Sequence, residues 1–406
     1  MQCSQRLHGT APIEEVTMAL SAGGRIGLAG ALVVGVAFGM ARYAYGLTLP
    51  SIRADLGLSE LLLGFISSAT FAGYLAGLLL AGRLAARFGS RAPTTVGGIC
   101  GALGAVIVTL AEPSGLLAVG VVLAGSAGGL VWAPYSDIVT RSVPLQQQPG
   151  ALAIITTGTS GGLVLLGGLA VLAVLGSWRL AWAGIALAAV ASALVNLRLV
   201  PKARPDPRPA TRAGSSSLAR TLRVPGAYSV AYFAVIVIYF TYAADVLERG
   251  ALPAAAVPML YAAIGFCGMV GVATGAFAQR LGSVRVAALC LVTVGVALAL
   301  LGLATDSLTA TAASACIFGV GYMTGSAVLA VWTAELAPER AGAAFTACLI
   351  VGALSSVTAP ALAGAVIPDL GLGVLLLLTA TVSLLSGVAL MLHGSARKVR
   401  VGETRP

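Results

Sequence analysis

Arg42 is the residue of this sequence with the clearest chemical capacity. It lies in Gly39-Met-Ala-Arg-Tyr-Ala-Tyr-Gly46, inside the apolar run 26–49, where a guanidinium is costly and is kept for a partner or a task. No carboxylate sits at comparable depth in any other apolar run. Two chemistries stay open: the guanidinium attracts the anionic group of a solute, or it snorkels outward and bonds helix-end carbonyls. In a regular helix Tyr45, at i+3, shares the face of Arg42.

Other reactive residue types are arranged against catalysis. Cys3, Cys100, Cys267, Cys290, Cys316 and Cys348 have neither close pairing nor metal-ligand spacing, and five lie in or beside apolar runs as small core residues. His8 and His393 stand at the two extremes of the chain, so no histidine pair can hold a metal or serve a nucleophile. With no Ser-His constellation and no pair of intramembrane aspartates, a polytopic membrane enzyme is a remote alternative, and no metal or cofactor is expected.

The elements that must position Arg42 follow from composition. With 58% hydrophobic and 9% charged residues and a mean hydropathy of +0.97, the chain is too apolar for water and takes the bilayer as its solvent. Apolar runs of bilayer-crossing length fall at 26–49, 61–81, 93–111, 115–136, 150–175 and 180–199, then at 228–246, 257–278, 286–304, 309–333, 342–366 and 371–392. Between the two groups of six lies a polar loop, about Pro201 to Pro225, with Lys202, Arg204, Arg208, Arg212, Arg220 and Arg223 among prolines and a Gly-Ser-Ser-Ser run. The first 25 residues lack the features of a secretory signal, and Met18 is a possible alternative start.

The net charge of +10 does not point to nucleic acid, because the basic residues sit beside spans instead of forming a solvated face. With both termini inside, cytoplasmic segments hold twenty of the 24 lysines and arginines, and only Arg53, Arg179 and Arg249 fall in outside loops. Few lysines, many arginines and abundant Ala and Gly fit a high-GC bacterium, hence a bacterial inner membrane with both termini cytoplasmic.

The halves repeat. Gly82-Arg-Leu-Ala-Ala-Arg-Phe-Gly-Ser90 aligns with Gly275-Ala-Phe-Ala-Gln-Arg-Leu-Gly-Ser283, each after the second run of its half, as a duplicated six-helix unit requires. The first copy, with Arg91, resembles the Gly-x-x-x-Asp-Arg-x-Gly-Arg-Arg/Lys loop of the major facilitator superfamily, and the Gly39–Gly46 stretch is similar to a Gly-Arg-Phe-x-Tyr element of a poorly characterised bacterial branch. The resemblance spans the chain, through the central basic loop to Pro338-Glu-Arg-Ala-Gly342. It implies an all-α membrane protein of about twelve transmembrane helices in two pseudo-symmetric six-helix bundles, 26–200 and 226–393. Around them lie a cytoplasmic extension, 1–25, a linker, 201–225, and a tail, 394–406.

The resemblance also implies roles. Gly82 would allow close helix packing, Gly89 the tight loop, and Arg83, Arg87 and Arg91 a charge latch for the outward-facing state. Ala86 replaces the usual Asp, so Asp137 would rebuild the latch with Arg141, mirrored by Glu335 and Arg340 with Arg280 and Arg285. The central cavity would be lined by helices one, four, seven and ten. That makes Arg42, Tyr45, Trp132, Tyr232, Tyr239 and Tyr322 candidate solute contacts, with Tyr242, Trp332, Thr156, Thr157 and Thr159 as weaker ones. Val121 replaces an arginine frequent in proton-coupled members, and Gly158-Thr-Ser-Gly-Gly162 lacks the proline of the drug-antiporter motif.

The expected function is therefore secondary transport of a small organic solute by alternating access, without nucleic acid and as a monomer in lipid, a proton gradient being a possible energy source. Export of a metabolite or drug-like compound is slightly favoured, and uptake or exchange of an organic anion through Arg42 is the alternative.

Overall fold

An apolar chain in lipid must satisfy its backbone polar groups internally, which leaves helices as the economical solution for each run. The computed structural model describes residues 21–202, 216–250 and 252–403, and all regular structure among them is helical. Twelve helices among these residues have spanning length and hydropathy: α1 (Ala22–Leu56), α2 (Glu60–Phe88), α3 (Arg91–Leu110), α4 (Ser114–Ser142), α5 (Leu145–Leu175), α6 (Trp178–Leu199), α7 (Arg223–Arg249), α8 (Ala256–Leu281), α9 (Ser283–Leu303), α10 (Leu308–Leu336), α11 (Pro338–Leu370) and α12 (Leu372–His393). Most run beyond the expected apolar stretches by one or two turns, because hydropathy marks only the hydrocarbon-embedded part and the polar helix ends carry on past it. Cys3, His8, Met18, Arg204, Arg208 and Arg212 lie outside the described residues.

The ends are built by local chemistry. Ser59 caps α2 by accepting a hydrogen bond from the Leu62 amide at 3.4 Å, and Ser307 caps α10 through the Ala310 amide at 3.3 Å. Gly89 and Gly282, the paired glycines of the repeat, end α2 and α8 with φ of 85° and 86°, a backbone region that side chains disfavour.

Packing repeats with an offset of six. Helix pairs α1–α5, α2–α4, α3–α4 and α3–α6 correspond to α7–α11, α8–α10, α9–α10 and α9–α12, so each half forms one bundle on the same plan. The bundles meet through α2–α11 and α5–α8, which exchange under that offset, and through the C-terminal half of α1 against α7. α4 and α10 do not pack against each other. Leu187, Phe266 and Leu175 are 73%, 71% and 80% exposed, part of an apolar outer surface suited to lipid and not to water.

α1 departs from a straight helix. Residues Gly35–Ala41 are π-helical, Arg42 and Tyr43 form a turn, and the α-helix resumes at Ala44. Such wide turns re-aim side chains and recur at functional positions.

Candidate functional site

The π-helical turn places Arg42 at a cavity of about 80 Å³ between the bundles. Small residues bring α1 against α5: a Cβ on Gly39 would lie 2.6 Å from the Gly162 Cα, and one on Gly162 would lie 2.1 Å from the Gly35 carbonyl oxygen. Gly158 and Gly162 are thus accounted for by backbone contact, while a Cβ on Gly161 would meet nothing within 4 Å.

Phe38 and Arg42 of α1, Tyr74 of α2, Trp132 of α4 and Thr156 and Thr159 of α5 form one side of the cavity. Phe233 of α7, Tyr322, Met323 and Ser326 of α10, and Phe345 and Leu349 of α11 form the other. Arg42 is the only charged residue among these lining residues. It is 3% exposed, and neither its Nε nor its Nη2 has a hydrogen-bond partner. The guanidinium carbon lies 4.1 Å from the centre of the Tyr74 ring and 5.3 to 5.4 Å from those of Phe38, Tyr43 and Phe71. Cation–π attraction offsets part of the cost of burial but supplies no counter-charge.

The structure brings together Arg42, Trp132, Tyr322, Thr156 and Thr159 of the residues expected at the site. It places the others elsewhere, Trp332 on a separate pocket and Tyr242 donating to the Pro360 carbonyl at 3.1 Å. Tyr45 donates to the Leu63 carbonyl at 3.0 Å, away from the cavity, because the π-turn and the break at Arg42–Tyr43 destroy the i+3 register on which its expected position rested. Tyr239 bonds Ser314 at 2.9 Å and stacks on Phe318 inside the second bundle. Tyr232 lies one layer behind the cavity, its hydroxyl donating to the Tyr322 carbonyl and 3.2 Å from the Ser326 hydroxyl. Thr157 is turned to its own helix, bonding the Ile154 carbonyl at 2.7 Å. Phe38, Tyr74, Phe233 and Phe345 line the cavity unforeseen, Tyr74 and Phe345 because α2 and α11 also contribute to the wall.

One face of the assembly is closed by contacts across the bundles. Arg53 of α1 lies 2.6 Å from Asp245 of α7 and 3.3 Å from Glu60 of α2, while Arg249 of α7 pairs with Asp245 at 2.9 Å and with Glu60. Asp245 is wholly buried. Beneath this cluster Ser67 and Thr241 hydroxyls meet at 2.8 Å, Tyr43 stacks on Phe240 at 3.6 Å, and the Tyr43 and Tyr322 hydroxyls lie 2.9 Å apart. Arg53 and Arg249 were expected in outside loops. They stand instead on the final turns of their helices, and Arg179, also expected in a loop, opens α6 paired with Asp55. The i,i+4 spacing of Asp245 and Arg249 was the available sequence signal for the cluster.

At the opposite face the repeat loops show matched bonding. Ser90 donates to Asp137, and Ser283 donates to Glu335 at 2.7 Å, so each acid at the end of α4 or α10 holds the serine of the repeat. Asp137 also pairs with Arg141 at 2.8 Å. Arg91 donates to the Leu197 carbonyl at 2.5 Å, Arg83 to the Leu79 carbonyl at 3.3 Å, and Arg87 lies over Phe88. No ion pair among the described residues joins Arg83, Arg87 or Arg280 to Asp137 or Glu335, in contrast to the expected charge clusters. Gly82 was expected to permit close packing, yet a Cβ there would meet nothing within 4 Å. The acids are instead engaged by the serines of the repeat and, for Asp137, by Arg141.

The model of the Major Facilitator Superfamily matches residues 31–274. No curated protein matches the chain in sequence. Among solved structures the chain is similar to a variant of the nucleoside transporter NupG, with TM-score 0.68 and 13% identity over 90% of this chain and 99% of that one. A variant of a peptide transporter POT gives TM-score 0.71 and 15% identity over 93% and 99% of the two chains. A POT family transporter in complex with 5-aminolevulinic acid gives TM-score 0.69 and 14% identity over 90% and 95%.

Proposed function

Because the chain belongs to the Major Facilitator Superfamily, it is a secondary transporter and not an enzyme, and we propose that it carries a small organic solute through the cavity at Arg42 by alternating access. The observation that carries this reading is a cavity walled by both bundles and shut off on one face by inter-bundle contacts. A solute there touches both moving bodies, so its binding energy can bias their relative position.

The distribution of Lys and Arg supports a cytoplasmic location for the termini and for the Gly82–Ser90 loop, in the plasma membrane of a bacterium. On that orientation the structure is the inward-facing state, its outer gate closed by Arg53, Glu60, Asp245 and Arg249. One chain encloses the whole cavity, which supports a monomer as the working unit. No carboxylate is among the residues lining the cavity, and a proton gradient is kept as a possible energy source.

Of the two finer readings, uptake or exchange of an organic anion has the better support. A cavity of about 80 Å³ is small beside the ~300–1,000 Å³ of pockets that hold drug-sized ligands, and its one charge is a cation. Export of a drug-like compound rests only on the aromatic wall.

Locking tests the reading. In a background without native cysteines, Ser67→Cys with Thr241→Cys should form a disulfide across the outer gate. Saturable solute flux into proteoliposomes should stop on oxidation and return on reduction. Flux that continues with the gate covalently closed would mean that the solute does not pass between the bundles.

A further inference from the structure

Two donors on one edge of a guanidinium, Nε–H and Nη2–H, point the same way and match the two oxygens of a carboxylate. In Arg42 these are the two nitrogens without a partner, on a side chain 3% exposed that lines the cavity. We propose that this edge receives the carboxylate of a small monoanionic acid with an apolar body, and that such acids are the solute class carried. The proposal rests on the transporter reading and narrows it.

Charge balance sets the class. The lining holds one cation and no acid, so one carboxylate neutralises it, whereas a dianion brings a second buried charge without a partner and a cation meets like charge. A zwitterion would leave its ammonium without an acid. The rings of Phe38 and Tyr74 lie beside the guanidinium and supply no acceptor, so the buried Nε and Nη2 edge is left for a carboxylate. Around it Trp132, Phe233, Phe345, Met323 and Leu349 offer apolar surface, which a hydrated inorganic anion cannot use and a phenyl or branched alkyl group can. Lysine in place of Arg42 would keep the charge and lose the fork, which separates paired recognition from simple attraction.

The test uses the full chain in proteoliposomes with labelled phenylacetate and isovalerate as acids, phenylacetamide as the neutral analogue and benzyltrimethylammonium as the cation. The expected result is saturable counterflow of the acids, with phenylacetamide competing on the order of 100-fold less well, the loss due to a charged hydrogen-bonded pair. This comparison needs no variant. Arg42→Lys should weaken the acids by about 10-fold or more and Arg42→Gln by on the order of 100-fold, with both proteins still monodisperse. Acid flux unchanged in Arg42→Lys would overturn the paired geometry. Flux of the amide or the cation, arrested by the Ser67→Cys/Thr241→Cys lock, with none of either acid, would overturn the solute class and leave the transporter reading standing. If no solute moves and oxidation of the lock leaves the labelling of Thr156→Cys by an impermeant thiol reagent the same from both sides, both readings fall.

Discussion

Asp245 is the residue on which the closed face depends. It is wholly buried, accepts from Arg249 of its own helix at 3.0 Å and lies 2.6 Å from Arg53 of the other bundle, a second counter-charge that it keeps only while α1 and α7 stay together. Asp245→Asn removes that charge and leaves Arg53 and Arg249 to share Glu60. Breaking a buried pair on one side typically costs about 3–5 kcal/mol, and partial exposure of both arginines puts the expected value at the lower end. The closed state should lose population, seen as faster labelling of Ser67→Cys by an impermeant reagent added on the closed face and a lower melting temperature. Labelling as slow as in a protein retaining Asp245 would show that apolar and hydroxyl contacts such as Tyr43 on Phe240 hold the gate alone. Arg42 works differently, being held by rings and left open on one edge.

α1 and α5 form the element pair that sets the position of Arg42. Their backbones touch at Gly35, Gly39, Gly158 and Gly162, and neighbouring glycines give a direct comparison. Gly162→Ala puts a methyl 2.1 Å from a backbone oxygen, while Gly161→Ala meets nothing within 4 Å. The first should destabilise by about 1–3 kcal/mol as an overpacked contact and shift Arg42, reducing solute flux; the second should leave both unchanged. Equal melting temperatures and flux for the two variants would exclude the close α1–α5 contact as a determinant of the site.

As a whole the molecule is two bundles on one plan, joined by α2–α11 and α5–α8 and closed at one end only. Alternating access requires the other end to close as this one opens, and there α4 and α10 stand apart. Spin labels at the exposed positions Thr140 and Arg340, at the ends of α4 and before α11, should therefore approach one another when Asp245→Asn weakens the gate. A distance distribution identical in both proteins would mean that the faces are not coupled. The Ser90–Asp137 and Ser283–Glu335 bonds stay within their own bundles, so they can persist through the movement while contacts between bundles exchange.

The sequence by itself determined the solvent, the number of spans, the duplication and the one buried cation, because each follows from local composition or from repeats along the chain. It located Trp132 and Tyr322 once the order of cavity helices was supplied by resemblance. It missed the places of Tyr45 and Tyr239, since a periodicity argument assumes regular turns and one inward face, whereas α1 is π-helical before Arg42 and α7 is buried nearly all round. The cluster on the closed face was equally hidden: Arg53, Glu60, Asp245 and Arg249 read as helix-end charges until tertiary structure brought residues nearly two hundred positions apart into contact. Which donors of Arg42 remain free, and which face is closed, are facts of packing between bundles, and only the folded chain decides them.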